Sequence, residues 1–248
     1  HCMENNEKRI ISIILKFGVI VAAIVGIISQ QLHGLLIYTG YVPFLYFTTQ
    51  SNIIIAICMI FLLYFDFANK EVPRALLIFE HISVTAVTLT FLVFAIILAP
   101  FIPALDRRYF YSLQNLTLHN AAPILAIVHY LYDDNRDIPK YAKPLGLLSG
   151  IIYVIFVYIV HLAGGNFGAT EFPYFFLDYK SFGWLTISEG KIGILYWWAV
   201  IILLLYGISS ALYYLKVKSG AKKKIPVTTF ASLIFLATIF IIINIIIK

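Results

Sequence analysis

Thr48 and His119 are the residues of this chain whose types and placement could do chemistry together. Thr48 opens the polar run Thr48-Thr49-Gln50-Ser51-Asn52, set in a stretch from Phe17 to Phe65 that holds no Asp, Glu, Lys or Arg. A hydroxyl is a weak nucleophile until a base removes its proton, and an imidazole is the side chain suited to that near neutral pH. Asn52 and Asn115 each lie four residues from one of the pair, on the same helical face. With Asn120, these amides are candidates to donate to an oxyanion or to fix the imidazole tautomer. Thr49, one residue along, is the alternative nucleophile, and Thr49, Gln50 and Ser51 would line the substrate's path. A plainer reading stands beside this one. Thr and Ser in membrane helices commonly bond their own i−4 carbonyl, and an intramembrane Asn often only joins helices. Spacing alone leaves both readings open.

The elements that must position these residues follow from composition. Of the 248 residues 61% are apolar and 12% charged, with a mean hydropathy of +0.92; soluble domains carry about 25% charged residues. This is an all-α, polytopic membrane helix bundle. Charge-free intervals give seven spans, at about Ile10–Ser29, Pro43–Phe65, Ala75–Leu98, Tyr111–Tyr132, Leu145–His161, Ile194–Leu215 and Val227–Ile247. Runs this long exclude a β-barrel, whose strands alternate over about 10 residues. Residues 1–9 read as a cytoplasmic tail, with His1-Cys2 an addition ahead of Met3, and 10–248 as one transmembrane domain. Lys16, inside the first span, is expected to snorkel to an interface. Lys70, Arg74, Arg136, Lys140, Lys143, Lys216 and Lys222-Lys223-Lys224 fall in segments on the N-terminal side, against few on the other, so positive-inside puts the N-terminus in the cytoplasm. The net charge of +6 is this rim against anionic lipid; no nucleic-acid partner is implied.

The second and fourth spans run from outside to inside. Thr48 lies roughly 7 Å and His119 roughly 12 Å below the outer ends at 1.5 Å per residue, shallow enough to share one pocket. The long connection from Ala163 to Gly193 carries Phe172-Pro173-Tyr174-Phe175-Phe176-Leu177-Asp178. It reads either as an interfacial aromatic belt or as a lid. Tyr174 and Asp178 within it, with His161 and His33, could border the same pocket, and Asp178 could orient His119. Ile53, Ile54 and the aromatic loop would hold an acyl chain. At the other end Glu80, His81, His129, Asp133 and Asp134 could relay protons or hold a metal. They lack metal-site spacing, so a helix-joining carboxylate–imidazole contact is expected and no metal. Cys58 reads as a small apolar filler.

Three segments carry a resemblance: Tyr46-Phe47-Thr48-Thr49-Gln50-Ser51-Asn52, Leu118-His119-Asn120-Ala121-Ala122-Pro123, and the aromatic stretch from Phe172 to Asp178. They resemble a bacterial branch of the androgen-induced-gene family, which includes the androgen-dependent TFPI-regulating protein. That resemblance implies a multi-pass threonine hydrolase of fatty-acid esters of hydroxy fatty acids, with Thr48 in the place of the family's Thr and His119 in that of its His. The expected activity is an outer-leaflet lipid or fatty-acyl ester hydrolase, or acyltransferase, needing no cofactor, in a bacterial plasma membrane. The rival reading is a transporter or ligand sensor whose polar run lines a pathway. Substrate identity and oligomeric state stay open.

Overall fold

The computed structural model describes residues 2–33, 40–98, 107–133, 138–188 and 190–219. The expected span at Val227–Ile247, Lys222–Lys224, Asp134 and the side chain of His33 lie outside them. Helix α1 (Cys2–His33) is followed by a 3-10 turn at Val42–Leu45 and by α2 (Phe47–Phe67). Helix α3 (Arg74–Val93) continues through a π turn at Phe94–Leu98. Helix α4 (113–132) is continuous but not uniform, since α-helical Leu113–Asn115 and Ala122–Tyr132 flank a π segment, Leu116–Ala121. Helices α5 (Leu148–Leu162) and α6 (Ile194–Ser219) close the order, with a β1–β2 hairpin (Ile187–Ser188, Lys191–Ile192) before α6.

Five helices among the described residues are long and apolar enough to cross a membrane: Asn6–Leu32, Phe47–Phe67, Arg74–Ile96, Ala142–Leu162 and Ile194–Val217. The burial pattern suits a lipid solvent. Ile14, Ile24, Ile60, Phe61, Ile152, Ile159 and Leu203 face outward, while Thr49, Asn52, Glu80, His81, Asn115 and His129 are enclosed. In hydrocarbon, aliphatic side chains lose nothing outside and polar groups must find partners inside. Of these five, α3 is the most enclosed, packed against α2, α4 and α6; α1 lies across α2 and α4. The core joins Val19, Ile55, Met59, Val84, Leu131 and Leu205.

The π segment of α4 follows from Pro123. Its ring would clash with the carbonyl of His119, four residues back, and it has no N–H to donate there. The chain widens instead, and Ala122 N–H bonds the Thr117 carbonyl, five residues back. Helix α1 clamps this irregular stretch through Gly26. A Cβ on Gly26 would meet Thr117 Oγ1 at 2.4 Å and Leu118 Cγ at 2.5 Å, so the backbones approach as only glycine allows.

Lys16 departs from its expected place at an interface. It is 0% exposed, paired with Asp66 at the far end of α2 and donating to Ser12 at 2.8 Å. A paired ammonium inside the bundle replaces one that snorkels, because Asp66 reaches the same depth. The carboxylate–imidazole contact at this end joins α3 to α4: Glu80 Oε1 lies 3.1 Å from His129 Nδ1. His81 contacts the Tyr130 hydroxyl at 2.6 Å and Ser209 at 2.8 Å, linking α3, α4 and α6. No cluster of metal-ligating side chains occurs among the described residues.

Candidate active site

Thr48 is the second residue of α2, and that position decides what its hydroxyl does. Deeper in the helices Ser83, Thr85, Thr88 and Thr117 all donate to the carbonyl four residues back. At the start of α2 the corresponding carbonyl, Phe44 O, belongs to the preceding 3-10 turn and accepts from Gln50 Nε2 at 3.1 Å. The Thr48 hydroxyl turns across to α4 and lies 3.4 Å from His119 Nε2. That is looser than the 2.6–3.2 Å of a closed nucleophile–base pair but within the slack seen without substrate. The pair shares a side of the bundle, as the matched depths require.

Among the described residues the imidazole is held by rings and not by a carboxylate. It stacks on Phe94 with centroids 4.1 Å apart and meets Tyr109 edge-on at 6.4 Å. Its Nδ1 is buried with no hydrogen-bond partner among the described residues. Asp178, which could have oriented His119 or stayed a solvated loop carboxylate, caps a short helix by accepting from Ser181 N–H at 3.0 Å. Among the described residues the arrangement is a Thr–His pair.

The rest of the polar run is spent on structure. Thr49 is fully buried toward α1 and donates to Gln30 Oε1 at 3.1 Å, which turns it away from His119. Ser51 bonds Thr90 at 2.9 Å and donates to the Thr48 carbonyl at 3.0 Å. Asn52 uses both amide hydrogens on carbonyls, 2.8 Å to Thr48 O and 3.1 Å to Leu118 O, tying the start of α2 to the residue before His119. It is a positioning residue in this arrangement and offers no donor to an oxyanion. Asn115 donates to Phe110 O, just before α4, at 3.0 Å, and Asn120 donates within α4 to Asn115 O at 3.2 Å. His161 sits against Phe172 and within 3.4 Å of the Tyr179 hydroxyl, away from Thr48.

Beside Thr48 lies a cavity of about 400 Å³ between α2, α3, α5, α6 and the late loop, in the range that takes a drug-sized ligand. Its walls are Leu89, Val93, Phe94, Val154, Ile201 and Leu205 among others, and Ile53 and Ile54 are not part of them. Of its polar borders, Tyr153 donates to Leu45 O, Trp198 to Phe176 O, and Thr90 is paired with Ser51. Ile151, Ile155 and Ile202 border it too and are 48, 54 and 50% exposed, so it opens on the outward, aliphatic face of α5 and α6. Thr48 is in the wall, while His119, 6% exposed, stands behind it.

The late loop closes one end of this cavity. Phe167, Phe172, Phe176 and Leu177 are buried against Tyr153 and Val157 of α5, and Tyr46 and Tyr158 donate to the carbonyls of Phe167 and Leu177 at 3.0 Å. The loop brings Tyr174 to the site, where its hydroxyl lies beside the Thr48 side chain, the Tyr153 hydroxyl and the first-turn backbone of α2 at Phe47 and Thr48. Sequence reasoning missed Gln30, Thr90, Phe94 and Tyr153. A polar or aromatic residue at the depth of Thr48 on a neighbouring span was the signal that could have found each. No family model, curated protein or solved structure matches the chain.

Proposed function

We propose that this chain is an intramembrane hydrolase of lipid or fatty-acyl esters, with Thr48 as nucleophile and His119 as its base. One observation carries the reading: the Thr48 hydroxyl faces an imidazole on one side and an apolar cavity open to the aliphatic surface on the other. An acyl chain would enter sideways from the bilayer and bring its ester carbonyl to Thr48. The hydroxyl attacks the carbonyl carbon as its proton passes to His119 Nε2, and the tetrahedral intermediate expels the alcohol, which takes that proton. Water, deprotonated by the same nitrogen, then releases the fatty acid from the acyl-threonine. Delivery to a second alcohol instead of water would make the same site an acyltransferase.

In this reading the chain belongs beside the androgen-induced-gene family that its motifs resemble, in a bacterial plasma membrane. It has seven spans, its N-terminus is cytoplasmic, and the dyad lies in the outer leaflet. The test is labelling of the purified protein by a lipophilic fluorophosphonate. Labelling that maps to Thr48 and vanishes in Thr48→Ala and His119→Ala supports the assignment. Undiminished labelling in both variants, or solute flux through proteoliposomes without labelling, overturns it.

A further inference from the structure

The oxyanion formed when Thr48 attacks needs a donor, and the asparagines expected to supply it are engaged with backbone carbonyls. Asn52 has given both amide hydrogens to carbonyls, Asn115 has one on Phe110 O and Asn120 one on Asn115 O. The group that does meet the nucleophile comes from the late loop. The Tyr174 hydroxyl lies beside the Thr48 side chain and borders the cavity in which an ester carbonyl would lie. Its ring cannot wander: it stacks on Phe176 at 5.1 Å and 6°, and meets Tyr46 at 5.9 Å and 90°. The phenol oxygen lies against the first-turn amides of α2 at Phe47 and Thr48. They polarise its O–H toward a partner that gains negative charge, and they add the positive end of a 21-residue helix.

We infer that Tyr174 is a catalytic residue of the Thr48–His119 site, donating its phenolic hydrogen to the oxygen that becomes the oxyanion. The inference rests on the hydrolase reading above. As Thr48 Oγ bonds to the carbonyl carbon, the carbonyl π pair moves onto oxygen. The Tyr174 O–H, beside Thr48 at rest, turns to that oxygen without transferring its proton. Collapse of the intermediate restores the carbonyl and releases the phenol. Burial pushes the phenol up to about 12, against the pull of the neighbouring Thr48 and α2 amides, so it remains a neutral donor through the physiological range. The late loop is then part of the reacting site as well as its cover.

The experiment compares Tyr174→Phe with wild type in detergent, using p-nitrophenyl palmitate, palmitate as product, and a trifluoromethyl ketone of the same chain length that forms a tetrahedral adduct. Phe keeps the ring packing and removes only the donor. Expected is a kcat lower by about 10²–10³ with KM and palmitate affinity unchanged, the usual cost of one oxyanion donor. Affinity for the ketone should fall in step with kcat. A kcat within twofold of wild type, or higher, overturns the inference and makes the phenol a plug in the site. Equal loss of palmitate and ketone binding also overturns it, as a packing effect. Should Tyr174→Phe fail to fold, a fluorinated tyrosine at position 174 replaces it: the alkaline limb of kcat must move down with the phenol's acidity, and an unmoved limb refutes the donor role. Thr48→Ala is run in parallel. If it stays active, the hydrolase reading itself fails; if it is inactive while Tyr174→Phe is not, only this inference does.

Discussion

At the residue scale, neighbouring threonines are separated by where each hydroxyl finds a partner. Thr48 reaches His119 because no helical carbonyl lies one turn behind it, whereas Thr49, rotated by about 100°, is captured by Gln30 on α1. Thr48→Ser keeps the hydroxyl and should retain turnover within about tenfold of wild type, while Thr48→Ala should lose at least about 10³-fold. Thr49→Ala removes one buried hydrogen bond and should cost about 1–2 kcal/mol of stability with little change in kcat. Ester hydrolysis and detergent melting on the three variants check this; a kcat that collapses in Thr49→Ala alone would transfer the nucleophile's role to it. The pairing of Thr48 with His119 was legible in the sequence because helical rise converts residue number into depth. The fate of Asn52 was not, since an amide's two hydrogens can go to any carbonyl within reach, and here one is on a different helix.

At the scale of elements, the site is assembled by irregularity. Pro123 widens α4 at the turn that carries His119, and Gly26 lets α1 press on that widened turn. Extra residues per turn re-aim side chains, which is why π turns gather at functional sites. Gly26→Ala would place a methyl against Thr117 and Leu118, and either α1 moves away or the π turn shifts. Overpacking of this kind costs about 1–3 kcal/mol, and a displacement of about 1 Å between nucleophile and base can cost about 10²-fold in rate. The expected outcome is a lowered melting temperature with kcat falling more than KM rises; an unchanged kcat would mean that the π turn tolerates the push. Helix α5 tunes the cavity rather than the chemistry. Val154→Trp should fill part of its volume and shift kcat/KM from palmitoyl toward butyryl esters, read on a p-nitrophenyl series. Five of the seven span positions were legible from charge-free runs, but the π turn was not, because a mid-span Pro is compatible with a kink, a break or a bulge.

At the scale of the whole molecule, the two ends of the bundle do different work. Around Thr48 the enclosed polar groups are uncharged hydroxyls, amides and an imidazole; around Lys16 they are ions, with Asp66, Glu80, Asp133 and Lys216 drawn in among His81 and His129. A buried charge left without its partner costs about 3–5 kcal/mol, whereas replacing a whole buried pair by well-packed apolar residues is often neutral. Lys16→Met and Asp66→Leu should therefore each destabilise strongly, and the double variant should recover much of the loss. The recovery would be partial, because Lys16 also donates to Ser12. Unfolding in mixed detergent gives the coupling energy of this cycle, and about 2 kcal/mol or more is expected for groups in direct contact. Because the pair lies at the opposite end of α2 from Thr48, the folded fraction of each variant should hydrolyse esters with wild-type kcat. A change in kcat that tracks the coupling energy would mean that the ionic end sets the geometry of the dyad through α2, and the division of labour between the two ends would then fall.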